Sequence, residues 1–164
     1  MDMDSVNPNT RFLYYKAYGY ALYWIGDFDA AIEALQIACG YRTEDTDIHL
    51  YLGNALWQAN RHQEAMQTLR QGLKKAPSSI GLRYTIGNYA RAQRDFPAAA
   101  EEYRALALLN SKDSAAGYYL GLTLYDMGAF KEAETVLKAI KFDSDRENQE
   151  LLRLLTLVSI ATKN

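Results

Sequence analysis

The chain has few of the residues that support catalysis or covalent cross-linking. Its 164 residues include one cysteine and two histidines. The single cysteine, Cys39, excludes an internal disulfide and fits a reducing compartment. Because no metal-ligand spacing or fixed charged partner accompanies them, we interpret Cys39, His49 and His62 as packed structural residues. Phosphate-binding glycine loops and paired-carboxylate motifs are also missing, so the sequence predicts no enzyme, cofactor or metal site.

Net charge and long apolar runs are also scarce. The formal net charge is −2, which gives no general attraction to nucleic acid. No apolar run reaches the roughly 18 residues that a membrane-spanning helix needs, so we predict no membrane insertion. Residues 1–11, MDMDSVNPNTR, are acidic and polar and lack the basic and apolar regions of a secretory signal. These absences favour a cytoplasmic protein.

The sequence does contain a period of 34 residues. Glycine recurs at this period, and an alanine follows each glycine twelve residues later. The positions are Gly19, Gly53, Gly87 and Gly121, and Ala31, Ala65, Ala99 and Ala133. Apolar residues lie around them at spacings of three, four and seven, which marks one face of a helix. Because small residues let two helices approach closely, the pattern predicts tightly packed helix pairs.

This pattern resembles the tetratricopeptide repeat, a 34-residue helix–turn–helix unit. The resemblance covers residues 12–45, 46–79, 80–113 and 114–147 without insertion. It implies an all-α fold, a right-handed α-solenoid of four units. The early tryptophan of the family is replaced by Tyr15, His49, Arg83 and Gly117, and its closing proline is kept as Pro77 but replaced by Thr43, Ser111 and Asp145. We expect these departures to alter local packing only.

After the fourth unit, the sequence predicts a ninth, capping helix over about residues 146–162. In the division of the chain, the C-terminal cap comprises the residues after the fourth repeat, 148–164. Ser144 and Glu147 have the spacing of a capping box. An apolar stripe suited to covering the fourth unit comprises Leu151, Leu154, Leu155 and Val158. A second set falls toward the flanks of the same helix, namely Leu152, Leu157, Ile160 and Ala161. Such a stripe predicts a homodimer or larger assembly through residues 149–161, or a longer native protein whose next segment covers the stripe. The alternative is a broad cap buried well enough in a monomer.

The resemblance also implies that the first helix of each unit lines a concave groove. Tyrosine and tryptophan are concentrated at its inward positions, in a chain that has 13 tyrosines. Such rings offer apolar area with a hydrogen-bonding tip, which suits recognition. The alternative is that several of them fill gaps between units. The predicted groove residues are Lys16, Tyr20, Tyr23, Trp24, Tyr51, Asn54, Trp57, Tyr84, Asn88, Arg91, Tyr118, Tyr119 and Tyr125.

Two asparagines and four charges refine the prediction. Asn54 and Asn88 hold the same position in successive units, where each amide can pair with a peptide group of an extended segment; the alternative is two solvated asparagines. The groove charges cancel, being those of Lys16, Asp47, Arg91 and Asp126. A neutral groove disfavours nucleic acid.

The two-carboxylate clamp of chaperone-binding relatives is also absent, since only Lys16 matches it and its other positions read Tyr20, Tyr51, Gly81 and Thr85.

The sequence thus predicts a non-catalytic protein–protein interaction module. We expect an extended aliphatic or proline-containing peptide in the aromatic groove, and a role as an adaptor or small chaperone. In size and groove the chain is similar to the tetratricopeptide chaperones of bacterial secretion systems. The alternative is an assembly scaffold, or a self-associating protein that acts through its C-terminal helix and convex face.

Overall fold

The computed structural model describes residues 6–110 and 113–162. Within these two stretches the chain forms nine α-helices and no β-strand, so the predicted all-α class is confirmed. Residues 1–5 of the predicted N-terminal segment, Ser111, and residues 163–164 of the predicted cap lie outside the described part. The helices are α1 (Pro8–Ile25), α2 (Phe28–Tyr41), α3 (Thr46–Gln58), α4 (His62–Lys75), α5 (Ile80–Ala92), α6 (Phe96–Leu109), α7 (Ser114–Asp126), α8 (Phe130–Lys138) and α9 (Asp145–Ala161).

The helices belong to two compact units that divide within α5, between Leu82 and Arg83. In the first unit, α1 packs on α2 and α3, α2 packs on α3, and α3 packs on α4. In the second unit, α6 packs on α7, α7 packs on α8 and α9, and α8 packs on α9. Each unit is therefore built from helix hairpins stacked on one another.

The two helices of each pair are in close contact at the repeated glycines. A β-carbon at Gly19 would lie 2.7 Å from Leu35 Cγ, and one at Gly53 would lie 2.6 Å from Leu69 Cγ. Gly87 meets the Tyr103 ring and Gly121 meets Leu137 in the same way. The repeated alanines on the second helices have no exposed surface. The close helix approach predicted from the period is confirmed.

The turn inside each pair contains a residue in the left-handed region of backbone conformation. Gly26 has a φ of 86° and Gly128 a φ of 77°, values that suit glycine because it lacks a β-carbon. Asn60 and Arg94 take the corresponding places with φ of 60° and 63°. In each turn the next residue donates its backbone N–H five residues back, as Asp27 does to Leu22 at 3.0 Å. This bond satisfies a carbonyl at the end of the first helix.

The ends of the chain differ slightly from the predicted boundaries. Helix α1 begins at Pro8, before the first predicted repeat, because Pro8 suits a first turn and the Asn7 side chain accepts from the Asn9 N–H at 2.8 Å. Helix α9 begins at Asp145 after the predicted cap, where Ser144 Oγ accepts from the Glu147 N–H at 3.4 Å. The buried face of α9 consists of Leu151, Leu154 and Val158, with Leu155 half-buried.

Candidate functional site

Four of the predicted groove rings form a continuous surface on α1 and α3, which we call the first aromatic cluster: Tyr20, Tyr23, Trp24 and Tyr51. The Tyr20 and Tyr51 ring centroids are 4.1 Å apart, and Tyr23 meets Tyr51 edge-on at 5.5 Å. Trp24 packs edge-on against Tyr23 at 5.6 Å. Its side chain is 73% exposed, while the three tyrosines are half-buried. The Trp24 ring is therefore exposed to solvent while it packs against Tyr23.

Lys16, the predicted groove cation of the first unit, is engaged by carboxylates of its own chain. Its Nζ lies 2.7 Å from Asp45 Oδ2 and 3.9 Å from Asp47 Oδ2, and 5.7 Å from the Tyr20 ring centroid. Burial, with the charges of Asp47 and Asp45 next, raises the pKa of Tyr20. Because Lys16 already holds an ion pair, it serves mainly to fix this end of the first aromatic cluster.

The second unit holds an equivalent group, the second aromatic cluster: Tyr84, Tyr103, Tyr118 and Tyr119. Tyr103 and Tyr119 stack with centroids 5.6 Å apart and an interplanar angle of 22°. Tyr84 lies 6.4 Å from each of them, and Tyr118 meets Tyr119 edge-on at 5.9 Å. Tyr119 is 36% exposed, whereas Tyr103 is fully buried. Tyr119 is thus the outer ring and Tyr103 its support.

Tyr103 is a member that the sequence reasoning did not place in the site. It lies on α6, in the position that leucine holds in the other three repeats, where the repeat pattern indicates a packing residue. The tyrosine in a leucine position was the available signal. Its hydroxyl donates to Asn88 Oδ1 at 2.7 Å. The Asn88 carbonyl, predicted to grip a peptide backbone, therefore accepts from Tyr103, while Asn54 lies half-buried on α3.

Two aspartates each bind a side chain on the first helix of their own repeat and also cap the first helix of the next repeat. Asp45 Oδ1 accepts from the Ile48 N–H at 3.1 Å and caps α3, while its other oxygen binds Lys16. Two repeats later, Asp113 Oδ1 caps α7 and its Oδ2 accepts from the Tyr84 hydroxyl at 2.8 Å. Since one carboxylate serves both a helix end and a side chain, each pair holds its ring or cation in a defined place.

A second set of predicted groove rings packs within its own repeat. Tyr23 meets Phe28 at 5.8 Å, and Tyr125 meets Phe130 at 5.5 Å. The Trp57 ring lies 4.2 Å from the His62 ring. In each case the partner ring opens the second helix of the repeat. This geometry favours the gap-filling alternative for Trp57 and Tyr125, whose rings close the hairpins.

The third repeat has Arg91 in the place of these rings. Arg91 forms an ion pair of 2.9 Å with Asp126. Both predicted groove cations, Lys16 and Arg91, are thus neutralised by carboxylates of the chain itself. The surface around the two clusters carries no uncompensated cation of the predicted set, which suits an uncharged ligand better than a phosphate backbone.

Cys39 and the two histidines lie in structural settings. Cys39 is half-buried on α2, and burial raises the pKa of its thiol, with a smaller lowering by Lys75. His49 is buried with its Nδ1 3.0 Å from the Asp45 carbonyl oxygen, and His62 packs on Trp57. Across residues 6–110 and 113–162, no group of three or more His, Cys, Asp or Glu residues could hold a metal ion. None of the helices described is both long and apolar enough to cross a membrane.

Helices α7 and α9 enclose a cleft of about 470 Å³ beside the second aromatic cluster. Its walls include Tyr118 and Tyr119 from α7, Phe142 from the preceding loop, and Glu147 and Glu150 from α9. Tyr118 and Phe142 meet edge-on with centroids 6.0 Å apart. The sequence reasoning missed this cleft because it depends on how α9 packs against α7.

The buried tyrosines predict a loss of stability at alkaline pH. Burial chiefly raises the pKa of Tyr103 from 10.0 to about 12, and burial also raises the pKa of Tyr84. Above pH 10 the unfolded chain loses the Tyr103 proton more readily than the folded chain does. The free energy of unfolding is therefore highest below pH 10 and falls as the pH rises toward 12. Tyr103→Phe should therefore make the free energy of unfolding fall less steeply above pH 10, as measured by urea denaturation.

The matched control for this prediction is Tyr14→Phe, which removes an exposed hydroxyl from α1. Because Tyr14 is half exposed, this variant shows how far the loss of any tyrosine hydroxyl alters the measured stability. An equal slope for Tyr103→Phe and the unmodified chain would show that Tyr103 does not contribute to the pH dependence.

Comparisons with known proteins agree with this architecture. A family model described as the tetratricopeptide repeat matches residues 17–80 and 84–147. A TPR repeat-containing protein of Pseudomonas aeruginosa is 32% identical over 126 residues, which are 73% of this chain and 21% of that protein. The chain thus spans about a fifth of the length of this curated relative.

Solved structures show the same fold. MamA from Desulfovibrio magneticus is 18% identical with a TM-score of 0.81, covering 93% of this chain and 86% of that one. YrrB, described as a TPR protein with an unusual peptide-binding site, is 17% identical with a TM-score of 0.76, covering 92% and 77%. At these identities the likeness establishes the fold alone.

Proposed function

Because the chain belongs to the tetratricopeptide repeat family of protein–protein interaction modules, we propose that each of its two aromatic clusters binds an extended segment of a partner protein. The observation that carries this proposal is the first aromatic cluster, where Trp24 is largely exposed and rests on Tyr23 and Tyr51. Exposing a large apolar ring to water is unfavourable, and a bound segment that covered the ring would remove this cost.

The rings divide into two roles. The outer rings, Trp24 and Tyr119, meet the segment. The inner rings hold them in place, because Tyr51 packs on Trp24 and Tyr103 stacks on Tyr119. Because the inner rings already contact the outer rings, the outer rings lose less side-chain entropy on binding.

The segment we propose is extended, aliphatic or proline-containing, and without a required negative charge. Flat aromatic faces suit the preformed, apolar surface of proline-rich segments. Lys16 and Arg91 are each held in an ion pair, so neither offers an unpaired charge to an acidic tail. The peptide-binding site of YrrB supports peptide recognition by this fold. The biological role would be that of a cytoplasmic adaptor or small chaperone, acting by binding and without catalysis.

The test is an NMR titration of the ¹⁵N-labelled chain with an acetylated and amidated proline–leucine repeat peptide. We expect signals near Trp24, Tyr51 and Tyr119 to shift, with an affinity of about micromolar, typical of a modest interface. A peptide of equal length with serine in place of leucine is the control and should bind more weakly. Shifts confined to the second helices, around Ile37 and Tyr41, would contradict the proposal.

A second candidate function, self-association through α9, is favoured by its exposed apolar side chains. Leu152 is 62% exposed, Leu157 is 50% exposed and Ile160 is 57% exposed. These residues lie away from the buried stripe of α9, as the sequence predicted. A second copy of the chain that covered them would remove this apolar surface from water.

For this candidate we expect light scattering at micromolar concentration to show a dimer or larger assembly. The variant Leu152→Glu with Leu157→Glu should be a monomer, because it places charges in the contact. It should also be less stable than the unmodified chain at the same concentration, because association stabilises the folded state. The control, Gln149→Glu with Thr156→Glu, adds the same charge at polar positions of α9 and should still associate. A chain that is monomeric before and after substitution would exclude self-association through α9.

A further inference from the structure

The cleft between α7 and α9 has walls unlike the rest of the aromatic surface. Tyr118 meets Phe142 at an interplanar angle of 70° and meets Tyr119 at 71°. Because Tyr118 meets both neighbours edge-on and all three rings line the cleft, they turn more than one ring face or edge toward it. An aromatic face attracts a cation that lies within about 6 Å of the ring centroid.

Carboxylates border these rings on the α9 side. Glu147 and Glu150 line the cleft together with one guanidinium, that of Arg146. The loop and first turns of α9, FDSDRENQE over residues 142–150, hold four carboxylates and a single basic residue. Glu150 also forms an exposed ion pair of 2.7 Å with Arg153. Next to burial, the charge of Glu150 is the largest influence that raises the pKa of the Tyr118 hydroxyl, so the Glu150 carboxylate acts on the aromatic wall itself.

We propose that this cleft receives a lysine or arginine side chain of the bound segment, with its aliphatic stem against Tyr118, Tyr119 and Phe142 and its charged end toward Glu147 and Glu150. This inference rests on the proposed function, since the side chain belongs to the same partner segment. An acidic side chain would meet like charge here, and a purely apolar one would desolvate carboxylates without pairing them. The ion pair of Glu150 with Arg153 is exposed and uses one carboxylate oxygen, so Glu150 can accept a second cation whose aliphatic stem contacts the rings.

Such a subsite would give the interaction sequence specificity. The two aromatic clusters accept many aliphatic or proline-containing segments, because stacking reads shape more than sequence. A cation in the cleft would fix which residue of the segment lies beside α9, and therefore the register of the rest. Salt should weaken this part of the binding, since the carboxylates are partly exposed.

The experiment compares two probes that differ at one residue. The proline–leucine peptide carries either lysine or norleucine at its centre, and each is titrated into the ¹⁵N-labelled full chain. We expect the lysine probe to bind about fivefold more tightly and to shift signals of Tyr118, Phe142 and Glu150. The variant Glu147→Gln with Glu150→Gln should lower lysine-probe affinity to that of the norleucine probe. The control Glu33→Gln with Glu101→Gln removes the same charge elsewhere and should leave the preference intact.

The outcomes separate this inference from the proposed function. If both probes bind equally and shift the same aromatic signals, the cation subsite is refuted while peptide binding stands. If neither probe shifts any signal, both proposals fail. If the cleft signals shift with protein concentration alone, a second copy of the chain occupies the cleft and the cation subsite is refuted.

Discussion

Replacing Gly87 with leucine is expected to lower the free energy of unfolding by about 3 kcal/mol, at the upper end for an overpacked core. A β-carbon at this position would lie 2.9 Å from Tyr103 Cε1. The Tyr103 ring cannot yield easily, because it is buried, stacked on Tyr119 and hydrogen-bonded to Asn88. The added side chain must therefore push α5 and α6 apart. Urea denaturation followed by circular dichroism measures the loss.

Gly40→Leu is the matched control for this prediction. Gly40 lies in α2 with no atom within 4 Å of a built β-carbon. We expect this variant to be as stable as the unmodified chain or slightly more so, because leucine favours the helix more than glycine does. Equal stability of Gly87→Leu and Gly40→Leu would show that the helix pair is not limited by contact at Gly87.

Replacing Trp24 with alanine is expected to weaken binding of the proline–leucine peptide by about 2 kcal/mol, or roughly 30-fold. Trp24 is the most exposed ring of the first aromatic cluster, and Tyr23 and Tyr51 support it from below. Because the ring buries little surface in the free chain, its removal should change the stability of the fold only slightly. Isothermal titration calorimetry gives the affinity, and thermal unfolding gives the stability.

The neighbouring residue, Ile25, provides the control. Its side chain is as exposed as that of Trp24 but lies outside the cluster. Ile25→Ala should therefore bind the peptide as the unmodified chain does. If both variants lose the same affinity, general apolar exposure on α1 and not the aromatic cluster would be responsible. Full affinity in Trp24→Ala would remove Trp24 from the contact.

The fold could be predicted from the sequence because its determinants are local and repeated. Each glycine, such as Gly53, needs only a leucine or tyrosine on the partner helix of the same repeat, so one period specifies the contact four times. The turn residues in the left-handed conformation recur at the same period, but among them only glycine predicts this conformation from the sequence. Asn60 and Arg94 gave a weaker signal, since any polar turn residue would have fitted the pattern.

The candidate site could be predicted only in part. The repeat register placed Tyr20, Trp24 and Tyr119 on first helices, where the structure groups them into clusters. It could not reveal the ion pair between Lys16 and Asp45, which joins residues 29 positions apart through side-chain conformation.

Two further features show why packing decides the rest. Trp57 shares its register position with Tyr23, but its place against His62 depends on which ring opens the second helix. The cleft beside Tyr118 forms where α9 packs against α7. Because α9 follows the four repeats, the repeat pattern does not predict this packing. Helix faces follow from periodicity, whereas ring-to-ring contacts follow from tertiary packing.

The measurement that tests the central claim most directly is a set of intermolecular nuclear Overhauser effects between the proline–leucine peptide and the isotope-labelled chain. The claim is that each aromatic cluster binds an extended segment of a partner protein. It predicts contacts from proline and leucine protons of the peptide to the rings of Trp24, Tyr51 and Tyr119. Contacts found only to side chains of α2, α4 or α9, with none to these rings, would contradict it.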